Sequence, residues 1–301
     1  MNTNKEGITV VITIFNNSEY LRRSLNSVLN QTILPNELII VNDGSESNHE
    51  NSIKKLIANI NTRANIRYYY KKNGGPSSAR NFGIYKSIYN YICFLDVDDE
   101  MSIHNIEFKY KFMKKLDSTK YFGVYSNAKY YQSRSLIFSK DTNMNINSIG
   151  RKKGLCGSSP CYLFNKEILQ KIEGFDENLT NNEDFDLIIR LLRLNYQFKY
   201  INHIGLIIHK TNNSVSRSNN FENKFISSLN FLNKAKKNDY FSINELNIRL
   251  KELHITYAKD MITNNYFNKK VFHILKKSFL FSKPMNLKEY FLYFLVFFLN
   301  K

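Results

Sequence analysis

The stretch Tyr91-Ile92-Cys93-Phe94-Leu95-Asp96-Val97-Asp98-Asp99-Glu100 constrains this chain more than any other. Five apolar or aromatic residues in succession are too few for a helix with one apolar face, and they suit a central strand covered on both sides. Four carboxylates come next, so the acids sit where the strand ends. Carboxylates this close resist ionising together unless water, a basic side chain or a cation offsets their charge. Mg2+ and Mn2+ accept one or two protein carboxylates and complete their shells with water and phosphate oxygens. Asp96-x-Asp98 is therefore a candidate metal and nucleotide site, with a solvated acidic turn capping the next helix as the plain alternative.

Strands and helices alternate ahead of this stretch. Ile8 to Phe15 is a β-branched run that reads as a strand, and Asn16, Asn17 and Ser18 supply turn and N-cap chemistry for a helix faced by Leu21, Leu25, Val28 and Leu29. Glu37 to Val41 reads as a second strand. It ends in Asn42-Asp43-Gly44-Ser45, a tight turn on the side where open α/β sheets bind ligands. Ile53 to Ile60 is helical and Ile66 to Tyr70 a third strand. After the turn Asn73-Gly74-Gly75-Pro76, Ser77 or Ser78 is expected to cap a helix from Ala79 to Tyr89, with Arg80 in its first turn. A cation is misplaced beside the positive end of a helix dipole unless an anion joins it; an exposed Arg tolerated at small cost is the alternative. The order strand-helix-strand-helix-strand-helix-strand is a nucleotide-binding α/β layout.

Further on, Ile103 to Leu116 is helical. The polar stretch from Tyr121 to Gly154, with Arg151-Lys152-Lys153, reads as a strand plus mobile loops. Cys161 to Phe164 is a short strand, Gly174-Phe175-Asp176-Glu177 a turn, and Asn181-Asn182-Glu183-Asp184 opens a helix that buries Leu187, Ile188, Leu191 and Leu192. Acids in a first turn are also ordinary dipole partners. Leu206 to Ile208 is a last strand running into His209, and from Phe221 onward the pattern is helical, with Leu246, Leu250, Leu253, Tyr257 and Met261 in one stripe.

Leu287 to Leu299 is apolar on every side and accompanied by Lys269, Lys270, Lys276, Lys277, Lys283 and Lys288. It is too short to span a bilayer, so it either packs into a core or oligomer contact or lies at an anionic membrane surface, the reading we favour. A net charge of +17 agrees with anionic partners. No RNA-binding motif accompanies that charge, so nucleic acid is not an expected partner. Cys93, Cys156 and Cys161 lack metal-type spacing and imply a reducing compartment, and with no apolar leader in Met1 to Gly7 the expected location is the cytoplasm.

Together, ITVVITIFNNSEYLRRSLNSVLNQT, ELIIVNDGS, NGGPSSARNFG, YICFLDVDDE, GFDENL and NEDFDLIIRLLR resemble, in order and separation, the inverting family 2 glycosyltransferases of the GT-A fold. The resemblance covers residues 6 to 217. It implies a GT-A domain over 1–218, with a nucleotide-binding half (1–100) and an acceptor-binding half (101–218), and leaves 219–301 as a helical extension. It further implies that Asp43 hydrogen-bonds the nucleotide base with Thr13 or Phe15 lining that pocket, and that Arg80 contacts the base or diphosphate. Asp96 would reach the ribose, Asp98 would ligate Mn2+ or Mg2+, Asp99 and Glu183 would support, and Asp184 would be the catalytic base on the opposite wall of a cleft. His209-x-Thr211 stands where members often show Arg-x-His, which makes His209 a weak further metal ligand. The implied reaction moves a sugar from a nucleotide-diphosphate donor, UDP by default, to a hydroxyl of a glycan or lipid-linked glycan. A nucleotidyltransferase and a non-catalytic nucleotide-sugar or nucleic-acid binder are the competing readings; the first would ordinarily show a Gly-rich basic loop in place of Phe15-Asn16-Asn17-Ser18.

Overall fold

The computed structural model describes residues 5–132, 158–209, 221–266 and 269–299. The loop expected around Arg151-Lys152-Lys153, Cys156 and the segment from Lys210 to Arg217 lie outside them. The chain divides into two units, Met1–Asn178 with Glu183–Ser214, and Leu179–Asn182 with Val215–Lys301.

The first unit opens with β1 (Lys5–Ile14), α1 (Leu21–Leu29), β2 (Glu37–Asn42), α2 (Ser47–Ala58), β3 (Ile66–Tyr70), α3 (Gly75–Lys86) and β4 (Tyr89–Asp96). β1, β2, β3 and β4 are parallel, and Val10, Val11, Ile12, Ile39, Ile40 and Phe94 are fully buried, the unbroken apolar content that a sheet covered on both faces requires. The chain winds from β1 outward to β3 and then returns to the other side of β1 for β4. Strand order therefore reverses between β1 and β4, where the C-terminal ends of an open sheet leave a crevice. The register sets Thr13 opposite both Val41 and Asp96, and Ile14 opposite Asn42, so these ends form one edge.

β5 (Glu100–Met101), α4 (Asn105–Met113), β6 (Tyr121–Tyr130), β7 (Tyr162–Asn165), α5 (Lys166–Lys171), α6 (Glu183–Arg193) and β8 (Gln197–Ile208) follow, completing an eight-stranded sheet in the order β3-β2-β1-β4-β7-β6-β8-β5. Four of its seven pairings are parallel, and those of β7 and β5 are antiparallel.

Three local expectations are corrected. The last strand is far longer than Leu206 to Ile208, because Gln197 onward pairs along the whole of β6 despite its polar interruptions. Tyr20, with no side-chain bond, precedes α1, while Asn16 and Asn17 form the turn itself at φ of 52° and 51°. α3 starts at Gly75 with Pro76 in its first turn and no serine cap, since the fixed φ of proline suits that place, and Arg80 consequently falls in the second turn. Gly83 lets this helix lie against β1: a Cβ there would stand 2.5 Å from Val11 Cγ1.

The second unit holds α7 (Phe221–Lys237), α8 (Ile243–Thr263), α9 (Lys269–Phe281) and α10 (Leu287–Phe294), the last continuing as a π-helical turn to Leu299. Ser242 and Glu245 form a reciprocal cap at the start of α8. Tyr257, Met261, Val271, Leu275 and Val296 belong to its core. No helix among the described residues is long and apolar enough to cross a membrane.

Candidate active site

Arg80 ties the end of β4 to the start of α6. Its guanidinium is buried, with Nη2 donating to Asp96 Oδ1 at 3.0 Å and Nη1 to Glu183 Oε1 at 3.0 Å. Asp184 Oδ1 lies 3.9 Å from Nη1, and the Phe175 ring packs 5.5 Å away. The acids at 96 and 184, expected on opposite walls of a cleft, meet on this one cation.

Neighbouring residues explain why the guanidinium sits there. Asp43 is buried, and its carboxylate accepts from Lys71 Nζ (2.6 Å), Gly74 N (3.1 Å) and Gly75 N (2.8 Å), which fixes the turn that launches α3. Asn81 accepts from Phe175 N (2.8 Å) and donates to Phe175 O (2.9 Å). Gly174 closes that turn with φ of 63°, and a Cβ there would collide with Asn81 Oδ1. α6 is anchored from the same side: Arg190 Nε bonds the fully buried Asp186 at 2.8 Å, and its Nη1 donates to Ile172 O at 2.8 Å. Glu183 and Asp184 are therefore delivered by a helix start pinned at a distance.

Burial pushes the Asp184 carboxyl up, to about 7, against the pull of Arg80; the charges of Glu183 and Asp96 add to the rise. Burial works against the charge on Arg80, but Asp96, Asp184 and Glu183 outweigh it and hold its pKa above the usual arginine value. Asp184 Oδ1 and Arg80 Nε are buried without a hydrogen-bond partner among the described residues.

A second cluster grips the acidic turn after β4. Arg23 of α1 donates to Asp98 O, and its Nε lies 3.6 Å from Glu100. Asp99 is buried and accepts from His209 N at 3.1 Å; burial, followed by the charges of Asp96 and Asp98, pushes its pKa up to about 8. His209 Nε2 lies 2.7 Å from Glu100 Oε1, and its ring stacks on Tyr131 with centroids 4.5 Å apart. Burial, followed by Arg23, lowers the His209 pKa in spite of Glu100. Asp98 is half-buried within this turn.

The predicted residues thus fall into two adjoining groups, Arg80, Asp96, Glu183 and Asp184 in one, and Asp98, Asp99 and His209 in the other. Thr13 adjoins Asp96 in the register, Asp43 directly follows β2 on the same edge, and Phe15 is an exposed aromatic just past β1. The sequence assigns no site role to Lys71, Asn81 or Arg23; Gly174 is expected there only as part of a turn and Glu100 only as the last of the four acids, and the signal for Asn81 is its place directly after Arg80. Among the described residues no three His, Cys, Asp or Glu side chains are grouped to hold a metal ion unaided. The oxygen donors at the end of β4 fit a hard cation of the kind that takes one or two carboxylates and completes its shell with phosphate oxygens.

Comparison with known proteins bears on the family and the fold. A profile described as Glycosyl transferase family 2 matches residues 9–173. An uncharacterized glycosyltransferase of Rickettsia typhi is 30% identical over 254 residues, covering 80% of this chain and 76% of the relative. One of Rickettsia bellii is 38% identical over 130 residues, which are 42% of this chain and only 18% of that longer protein. Among solved structures, Staphylococcus aureus TarS 1–349 in complex with UDP-GlcNAc superposes with a TM-score of 0.57 at 18% identity, covering 96% of this chain and 79% of that one. A mannosyltransferase from Pyrobaculum calidifontis in complex with GDP-Man and Mn2+ superposes with a TM-score of 0.60 at 12% identity, covering 97% and 79%. These likenesses bear out the expected GT-A fold.

Proposed function

The chain belongs to glycosyl transferase family 2, and from that premise we propose that it moves a sugar from a nucleotide-diphosphate donor to a hydroxyl of a glycan or lipid-linked glycan, with inversion. The observation that carries the reading is the Arg80 cluster: a donor-side acid (Asp96) and a candidate base (Asp184) share one buried cation where the strand order reverses.

Asp184 takes the proton of the acceptor hydroxyl. A carboxylate raised to about 7 is matched to that task, because a base works best when its pKa lies near the ambient pH. Glu183 and Arg80 hold the start of α6 against β4 and so set the distance from base to donor. Thr13, Phe15 and Asp43 receive the nucleotide at the ends of β1 and β2; Asp43 has given three bonds to the turn before α3 and keeps lone-pair capacity for a base N–H. Asp96 faces the ribose. Asp98, supported by Asp99, is the side chain that would hold a divalent cation, Mn2+ or Mg2+, and such an ion when bound supplies Lewis-acid stabilisation of the departing diphosphate. His209 would have to exchange Glu100 for the ion to join it. UDP is the nucleotide we favour, in line with the UDP-GlcNAc held by TarS. An acceptor on a lipid carrier, reached from the cytoplasmic face of an anionic membrane, suits the basic C-terminal unit.

The test is nucleotide release from a panel of nucleotide sugars with Mn2+ or Mg2+, with and without Asp184→Asn. Release that depends on donor identity and vanishes in the variant supports the reading; no release from any donor, or full release from the variant, overturns it.

A further inference from the structure

α9 and α10 expose two different chemistries. On α9 the buried residues are Val271, Ile274, Leu275, Ser278 and Phe279, and the opposite face carries Lys269, Lys270, His273, Lys276 and Lys277. α10 turns Leu292, Tyr293 and Phe297 against the core around Val296. Its other side faces water: Leu287 is 88% exposed, Tyr290 58%, Phe291 64% and Phe294 51%, at the i, i+3, i+4, i+7 spacing of one helical stripe. Leu280 at 80% and Met285 at 61% precede it in the chain. The one acid from Lys269 to Leu299 is Glu289, and Lys251 Nζ already holds it at 2.7 Å.

Water-facing apolar side chains on this scale mark a surface that is covered in use. The charges say by what. A second copy would bring its own lysines against these, whereas anionic lipid neutralises the basic stripe and receives the aromatic one.

We propose that the outer face of α10, with Met285 and Leu280, enters the interfacial layer of an anionic bilayer while the α9 lysines rest on its headgroups. This deepens, and rests on, the reading of a lipid-linked acceptor. Each lysine near such a surface strengthens binding about five-fold.

The full chain is sedimented with vesicles of phosphatidylcholine alone and of phosphatidylcholine with 30% (about one third) phosphatidylglycerol. Binding to the anionic vesicles only, lost in Phe291→Ser/Phe294→Ser, weakened at least ten-fold in Lys276→Glu/Lys277→Glu and reduced by salt, is the expected result. Equal binding to both vesicles, no binding, or variants that bind like the parent overturn it, as does a dimer in solution that Phe291→Ser/Phe294→Ser dissolves. Nucleotide release from a nucleotide sugar is followed in parallel. Release intact in the parent and both variants while vesicle binding fails removes the docking surface and leaves the transferase reading standing; release absent throughout removes the transferase.

Discussion

Two acids at opposite edges of the sheet, Glu37 and Asp184, are treated in opposite ways. At the N-terminal edge Glu37 is completely buried, and every neighbour serves it: Thr9 Oγ1 (2.8 Å) and Ile88 N (3.2 Å) donate to Oε2, and Arg67 to Oε1. Ser87 Oγ donates to Thr9 Oγ1 at 2.8 Å, and Lys166 Nζ to Ser87 O at 3.0 Å, so the network closes. At the C-terminal edge three acids crowd one guanidinium, and Asp184 Oδ1 and Arg80 Nε are left over. The fold can satisfy an interior carboxylate fully, and at Asp184 it leaves one oxygen without a hydrogen bond. Such an atom calls for an explanation, and the proton it would take in the proposed reaction supplies one.

Substitutions can break or sharpen that contrast. The largest effect is expected from Asp184→Asn, which should lower nucleotide release about 10²- to 10⁴-fold while calorimetric donor affinity stays within a factor of about two. Glu37→Ala should do the reverse. It strands the donors of Thr9, Ile88 and Arg67, costing about 2–4 kcal/mol in urea unfolding, with turnover per folded molecule unchanged. If it lowers turnover instead, the two edges are not independent. Asn81→Ala removes both bonds to Phe175 and should cost about 1–3 kcal/mol in the same assay, with turnover falling as Phe175 shifts under Arg80.

The smallest effect is graded. A base with a pKa of about 7 is protonated, and idle, below that pH. The rate should therefore fall about ten-fold, or about 1.4 kcal/mol, for each unit of pH below 7 and level off above 8. A profile flat from pH 5 to 8 would take Asp184 out of the role.

Much of this was legible in the chain because several segments carry their own signal. The run ending at Asp96 could only be an interior strand, and Glu183-Asp184 stood at an evident helix start. The sequence points to Arg80 through a first-turn position that the fold does not give it: with Pro76 in the first turn the helix starts at Gly75, and the cation is a buried hub in the second turn. The tie between Asn81 and Phe175 is not legible, because the two lie 94 residues apart in the chain; the turn at Gly174 is legible, but not the helix it packs against. Asn202, His203 and Gly205 weaken the local strand pattern of β8, and it is the pairing with β6 that carries the strand back to Gln197. The apolar tail was visible as such; which side of α10 is covered depends on packing with Val271 and Phe279, which periodicity does not encode.

Gly83 lies three residues beyond Arg80 and, by having no side chain, admits Val11. A single methyl group there would lift α3 off β1 and carry Arg80 with it. Asp96 and Glu183 would then be parted without any charged residue having been altered. The spacing between donor and base is in this sense gauged where α3 rests on β1, by a residue with no side chain at all.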